Sequence, residues 1–137
     1  MRAARQVFAV GLVMILLDLL WLGVLGRPLY VEALGPLMAA DVNVVAAGLF
    51  YVFYVTTIVL FAVRPARSVS EAGKRGAQLG FVAYTTYELT NWAVIAGWGA
   101  LIVPIDIVWG VCLTASASAA GAAFGRLGAD TAAQSAG

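Results

Sequence analysis

The sequence contains no histidine and only one cysteine, Cys112. An internal disulfide is therefore excluded, as are the common zinc sites and any catalytic triad based on histidine. Charge is also scarce, because Asp, Glu, Lys and Arg together make up 11% of the 137 residues and the formal net charge is +1. A strongly basic surface for nucleic acid is not indicated. We therefore expect no nucleic-acid partner, no metal site and no cofactor.

Apolar residues take the place of the missing charge. They make up 63% of the chain, and its mean hydropathy is +0.95. Soluble domains are roughly half apolar and a quarter charged, whereas a membrane span needs about 20 mostly apolar residues. The chain has room for four spans, short connections and little else. We predict an all-α membrane protein: a four-transmembrane-helix bundle in a single domain over 1–125, with a disordered cytoplasmic tail over 126–137.

The helix boundaries follow from the apolar runs and the residues that interrupt them. The first run contains Asp18 and is long for a signal peptide, so we interpret it as a retained helix. The second run ends at Arg64-Pro65, because proline cannot continue a helix. Apolar sequence then extends over 77–124, twice the length of a span, and we expect it to turn at the cluster of Gly97, Trp98, Gly99 and Pro104. The predicted helices cover about 7–25, 44–63, 78–96 and 105–124.

Lysine and arginine are distributed unevenly among the predicted loops. If the N terminus is cytoplasmic, only Arg27 falls outside. The other seven basic residues are then cytoplasmic: Arg2, Arg5, Arg64, Arg67, Lys74, Arg75 and Arg126. Cytoplasmic loops of membrane proteins carry an excess of lysine and arginine. We therefore predict that both termini lie in the cytoplasm.

Three carboxylic acids, Asp18, Glu88 and Asp106, lie within or at the edge of the apolar runs. A charge at the centre of a span costs roughly 2.5–3.5 kcal/mol, and the predicted spans contain no lysine or arginine to neutralise one. We expect these groups to be protonated, hydrated, hydrogen-bonded or bound to a cation. Counted along the helices, Asp18, Glu88 and Tyr51 lie roughly 10–12 Å below the outer surface, and Asp106 is shallower.

The predicted third helix carries a polar stripe, in which Tyr84, Tyr87, Glu88 and Asn91 have the i, i+3, i+4, i+7 spacing of one face. A polar stripe on a spanning helix faces the bundle interior rather than lipid. The sequence thus predicts one ligand-binding site, formed by Asp18, Tyr51, Tyr54, Tyr84, Tyr87, Glu88, Asn91 and Asp106. No catalytic residue is assigned.

Simpler roles are open for the same residues. Asp106 follows Pro104 closely and is placed to cap free N–H groups at the start of its helix. Asp18 and Glu88 can equally hydrogen-bond each other or the tyrosines and hold the helices together. The four tryptophans are interpreted mainly as residues of the membrane interface.

Two segments of the chain are alike. Asp18-Leu-Leu-Trp21 is similar to Asp106-Ile-Val-Trp109, and a glycine follows each within two residues. The predicted helices that carry them run in opposite directions, as in the inverted repeats of transporters. Four matching residues are too few to establish a repeat, and we interpret the similarity as chance.

Several short motifs occur in an order typical of one family. They are Asp18-Leu-Leu-Trp21-Leu-Gly23, Tyr30 with Leu34-Gly35, Phe50-Tyr51 with Tyr54, Phe61-Ala-Val-Arg-Pro65, Tyr84-x-x-Tyr87-Glu88-Leu-Thr90-Asn91 and Asp106-Ile-Val-Trp109-Gly110. The series covers about residues 6–124 and resembles a family of small bacterial membrane proteins catalogued as domain of unknown function 2177. The resemblance implies a four-helix, multi-pass protein of the bacterial cytoplasmic (inner) membrane, with no established activity or cofactor. In the family pattern the position of Glu88 is usually aspartate, so this chain keeps the carboxylate on a longer side chain.

Three classes of function are compatible with these residues. The first is a binding or transport protein whose outward-facing carboxylate and tyrosine pocket takes a small ligand, a lipid headgroup or a proton. A chain of this size can hardly enclose a path, so transport requires a homo-oligomer. The second is a structural or accessory membrane subunit, in which the polar layer holds the helices in register. The third, an intramembrane enzyme acting on membrane lipid, has Asp18 and Glu88 as acid and base. The absence of histidine and of a recognisable nucleophile counts against an enzyme.

Overall fold

The computed structural model describes residues 2–37 and 41–134. These residues form five α-helices and no β-strand: α1 (Arg2–Leu20), α2 (Arg27–Leu34), α3 (Val44–Ile58), α4 (Val69–Val94) and α5 (Ile102–Gln134). A π-helical turn extends α1 over Trp21–Leu25, and a second one extends α3 over Val59–Val63. A short 3₁₀ turn, Gly35–Leu37, follows α2.

Within the described ranges, three segments are long and apolar enough to cross a membrane: Arg2–Leu25, Val44–Val63 and Ile102–Gly125. α4 is not among them, because its first turns carry Glu71, Lys74 and Arg75 and its later turns carry the polar stripe. The prediction of an all-helical membrane protein is confirmed. The fourth span and the orientation stay predictions.

The observed helices differ from the expected ones mainly at their ends. The second predicted helix, 44–63, coincides with α3 and its π-helical extension. α1 begins at Arg2, and α4 begins at Val69 rather than near Gln78. α5 begins at Ile102 and continues to Gln134, through most of the segment expected to be a disordered tail. Alanine is frequent in that segment and favours a helix. Residues 135–137 lie outside the described part of the chain.

The early start of α4 has a local cause. The Ser68 hydroxyl oxygen accepts a hydrogen bond from the backbone N–H of Glu71 at 3.0 Å, and the Glu71 carboxylate accepts one from the backbone N–H of Arg67 at 2.8 Å. Glu71 also forms an ion pair with Arg75 at 2.9 Å, one turn further along. These bonds hold the pKa of Glu71 below its ordinary value. Such reciprocal capping begins a helix independently of hydropathy.

α5 lies at the centre of the bundle, with α4 on one side and α1 on the other. Glycines allow α4 and α5 to approach closely. A Cβ at Gly80 would collide with the carbonyl of Gly110, and one at Gly76 would collide with Ser118. The C-terminal half of α3 completes the apolar core, whose fully buried members are Val10, Met14, Ile58, Ala62, Ala72, Leu113 and Ala117.

One end of the bundle is covered by α2 and by the connection 95–101 between α4 and α5. α2 packs against the π-helical end of α1 and against α5. Gly99 lies against Ala33 of α2, where a Cβ at Gly99 would stand 2.8 Å from the Cβ of Ala33. Gly97 has a φ of 82°, a conformation that favours glycine. We call this the α2 end; the opposite end holds the start of α1 and the connection 64–68.

Candidate functional site

The three carboxyl groups of the apolar segments are all buried, toward the α2 end. Their exposed fractions are 0% for Glu88 on α4, 3% for Asp106 on α5 and 6% for Asp18 on α1. Asp18 and Asp106 lie close enough to repel each other electrostatically, as do Glu88 and Asp106. Three helices thus bring their acids into one layer.

Asp18 is held by aromatic donors from two other helices. The Tyr51 hydroxyl on α3 donates a hydrogen bond to Asp18 Oδ2 at 3.0 Å. The indole of Trp109 on α5 also interacts with this carboxyl. Asp18 therefore links α1 to α3 and to α5.

Asp106 is held by a tyrosine from the short helix at the α2 end. The Tyr30 hydroxyl donates to Asp106 Oδ1 and accepts from the Trp21 indole N–H at 3.3 Å. Burial, followed by the bond to Asp106, raises the pKa of Tyr30 well above its ordinary value, so the hydroxyl stays a neutral donor. Because α5 begins at Ile102, Asp106 lies beyond the first turn and does not occupy a capping position.

Glu88 has one oxygen satisfied by an indole and one that no donor among the described residues reaches. The Trp98 indole N–H, from the connection 95–101, donates to Glu88 Oε2 at 2.9 Å. Glu88 Oε1 is buried, and no donor reaches it within the part of the chain that the structure describes. The carboxyl of Asp106 interacts with the carboxyl of Glu88. A hydrogen bond between two carboxyl groups forms only when one of them carries a proton.

The two Asp-x-x-Trp segments meet in this layer. The rings of Trp21 and Trp109 are stacked, with centroids 4.6 Å apart and planes 9° from parallel. Each tryptophan interacts with the aspartate of the other segment, Trp21 with Asp106 and Trp109 with Asp18. The similarity that the sequence analysis attributed to chance therefore corresponds to a crosswise contact between α1 and α5.

Two further tyrosines from the predicted site border the acids. Tyr54 is 6% exposed, and its hydroxyl is 2.9 Å from the hydroxyl oxygen of Thr114 on α5. The ring of Tyr84 packs against α5 at Gly110. It can do so because glycine has no Cβ, which would collide with the ring. Tyr84 lies close enough to Asp18 and Asp106 for their charges to act on its hydroxyl group.

The remaining two residues of the predicted site, Tyr87 and Asn91, lie toward the rim. Tyr87 is 54% exposed and interacts with Asn91. Its ring meets the ring of Trp98 edge-on, with centroids 6.0 Å apart. The two residues flank the tryptophan that binds Glu88, whereas Asp18, Tyr54, Glu88 and Asp106 are buried and the half-buried Tyr51 and Tyr84 border them.

Sequence reasoning missed four residues that the structure places around the acids: Tyr30, Trp21, Trp98 and Trp109. The tryptophans were interpreted as interface residues, because belt and pocket tryptophans have the same hydropathy. The repeated Asp-x-x-Trp spacing was the signal that could have identified Trp21 and Trp109.

An all-helical chain with three apolar helices of spanning length, and with acids buried among aromatic donors, defines an integral membrane protein. The chain belongs to the family described as predicted membrane protein, domain of unknown function 2177, whose family model matches residues 4–123. The resemblance drawn from the sequence motifs is thereby confirmed. No curated protein and no solved structure matches the chain.

Proposed function

We propose that this protein is a small membrane transport protein whose proton-binding group is the carboxyl pair formed by Glu88 and Asp106. The observation that carries the proposal is the buried oxygen Glu88 Oε1, which has no donor among the described residues, next to a second buried carboxyl group, Asp106, with which Glu88 interacts electrostatically. A proton between them satisfies that oxygen and removes one of two adjacent negative charges.

The surroundings of the pair favour one shared proton over ionisation of both carboxyl groups. The predicted spans 7–25, 44–63, 78–96 and 105–124 contain no lysine or arginine. The groups that face the pair are Tyr30 from α2, Asp18 from α1, Tyr84 from α4 and Trp98 from the connection 95–101. The hydroxyl and indole groups donate hydrogen bonds without adding positive charge. They stabilise the one negative charge that remains when the pair holds a single proton.

The orientation proposed from the basic residues places the α2 end outside. Seven of the eight lysine and arginine residues then lie on the cytoplasmic side, with Arg27 alone outside. α4 packs along α5, one of the apolar helices of spanning length, which supports α4 as the fourth span. In this arrangement both termini are cytoplasmic and the acid layer lies nearer the outer surface of the bacterial cytoplasmic membrane. A chain of this size requires a homo-oligomer to enclose a path.

A structural or accessory role is the second candidate, and it rests on other contacts of the same layer. Tyr51 bonds Asp18, and Tyr54 bonds Thr114, so α3 is tied to α1 and α5 through polar groups. Bonds of this kind hold spanning helices in register. If this were the only role, substitutions in the layer would change stability and leave proton movement unaffected.

Proton entry into vesicles tests the proposal. The protein is reconstituted with a pH-sensitive dye inside the vesicles, and a membrane potential is applied. Wild type is expected to admit protons faster than protein-free vesicles, and Glu88→Gln to reduce the rate to that background. Glu71→Gln is the matched control: it makes the same change in the exposed first turn of the same helix, so it should keep the wild-type rate. Equal rates for wild type and Glu88→Gln would contradict the proposal.

A further inference from the structure

A cavity of about 260 Å³ opens at the α2 end of the bundle. It is lined by Leu29, Glu32, Ala33, Gly97, Gly99, Ala100, Leu101 and Ile102. We propose that this cavity binds a small organic cation with an apolar body, of the alkylammonium or arylammonium class. The inference rests on the proposed function, because it names the ligand that the proton-binding pair would serve.

The cavity adjoins the groups that hold the carboxyl pair. Leu29 precedes Tyr30, the donor to Asp106, along α2. Gly97 and Gly99 flank Trp98, the donor to Glu88. A ligand in the cavity therefore lies against the two segments that contact the acids. The same two short segments therefore contact the ligand and carry Tyr30 and Trp98, which bond the carboxyl pair.

The lining sets the size and polarity of the ligand. A cavity of about 150 Å³ accommodates benzene, so 260 Å³ accommodates an aromatic ring with a short arm. Leu29, Leu101 and Ile102 provide apolar walls, and Glu32 is the one charged residue among those that line the cavity. Apolar walls with a single charged group are typical of sites that orient an amphipathic small molecule.

The charge distribution selects a cation. Five acidic residues belong to the half of the molecule nearer the α2 end, namely Asp18, Glu32, Asp41, Glu88 and Asp106, and the proton shared by Glu88 and Asp106 removes one of their charges. Arg27 is the one basic residue in that half, whereas the other seven lie toward the opposite end. A cleft surrounded by charge of one sign concentrates ligands of the opposite sign. The cavity therefore attracts cations and disfavours anions.

Binding of benzylammonium to the full-length protein in lipid nanodiscs tests the inference, with neutral benzyl alcohol as the comparison ligand and empty nanodiscs as the blank. Calorimetry should show saturable binding of benzylammonium, weakened roughly three- to tenfold by Glu32→Gln because a charge-assisted contact is lost. Asp41→Asn removes the same charge from the same end at a residue that does not line the cavity, so it should bind as wild type does. Ala100→Phe, at an exposed lining residue, should abolish binding of both ligands.

Several results would overturn the inference. They are an absence of saturable binding above the blank, equal effects of Glu32→Gln and Asp41→Asn, equal affinity for the charged and neutral ligands, and unchanged binding to Ala100→Phe. The outcome is separable from the proton measurement. Benzylammonium binding by a protein that admits no protons would contradict the proposed function alone. Proton entry without benzylammonium binding would contradict the cavity assignment alone.

Discussion

Each buried carboxyl group among the described residues is held by an aromatic side chain that donates a hydrogen bond. Tyr51 donates to Asp18, Tyr30 to Asp106 and Trp98 to Glu88. Phenol and indole donors satisfy an oxygen and fill apolar space, and they bring no charge of their own. The net charge of the layer therefore depends only on how many protons the acids themselves bind.

The contribution of one such donor can be measured. Tyr51→Phe keeps the ring and removes the hydroxyl that lies 3.0 Å from Asp18. We expect it to lower the free energy of unfolding by about 1 kcal/mol, since it leaves a buried carboxyl oxygen without that donor. Equilibrium unfolding of the protein in lipid checks the value.

Tyr87→Phe is the matched control for this substitution. It removes the same group from a tyrosine that is 54% exposed and lies at the rim. We expect a clearly smaller effect, because the Tyr87 hydroxyl interacts with the neutral Asn91 side chain and not with a buried carboxyl group. Equal losses in the free energy of unfolding for the two variants would contradict a stabilising role for the bond to Asp18.

At the scale of the helices, close packing of α4 on α5 decides where the acids meet. Gly80 allows the contact, because a Cβ there would collide with the Gly110 carbonyl and the Thr114 side chain. Gly110 in turn leaves space for the ring of Tyr84. Glycine at these two positions thus sets how closely the helices that carry Glu88 and Asp106 approach each other.

Alanine substitutions separate the packing role of glycine from its effect on helix propensity. Gly80→Ala is expected to destabilise the protein by about 1–3 kcal/mol, because the added methyl group overpacks the interface. Gly73→Ala is the control on the same helix, since its nearest neighbours would stand at an ordinary 3.8 Å. It should be neutral or stabilising by up to about 1 kcal/mol. Thermal unfolding compares them, and similar losses for both would contradict the packing account.

The helices could be predicted from sequence where hydropathy and a helix breaker agree. The range 44–63 coincided with α3 and its extension because Arg64-Pro65 follows an unbroken apolar run. The start of α4 was misplaced because the capping bonds around Ser68 and Glu71 act through local geometry, which a hydropathy pattern does not record. α4 also carries more polar residues than the other long helices, so its membrane crossing depends on what its polar face contacts.

At the scale of the whole molecule, burial of the acids could be predicted from sequence, because exposing a carboxyl group to lipid costs much free energy. The residues that bond the acids could not be predicted in this way. The pairing of Glu88 with Asp106 depends on how closely α4 and α5 pack, and the crossing of Trp21 and Trp109 depends on the register between α1 and α5. Both are set by contacts between distant parts of the chain. A single sequence shows the residue types and their depth, and leaves these contacts open.

The central claim is that one proton is held between Glu88 and Asp106, and infrared difference spectroscopy on the protein in lipid tests it most directly. Wild type should show the carbonyl band of a protonated carboxyl group at neutral pH. Glu88→Gln should lose that band, Asp106→Asn should shift it because the partner becomes an amide, and Asp18→Asn should leave it unchanged. A spectrum with carboxylate bands alone in wild type, or a band that survives unaltered in Glu88→Gln, would contradict the claim.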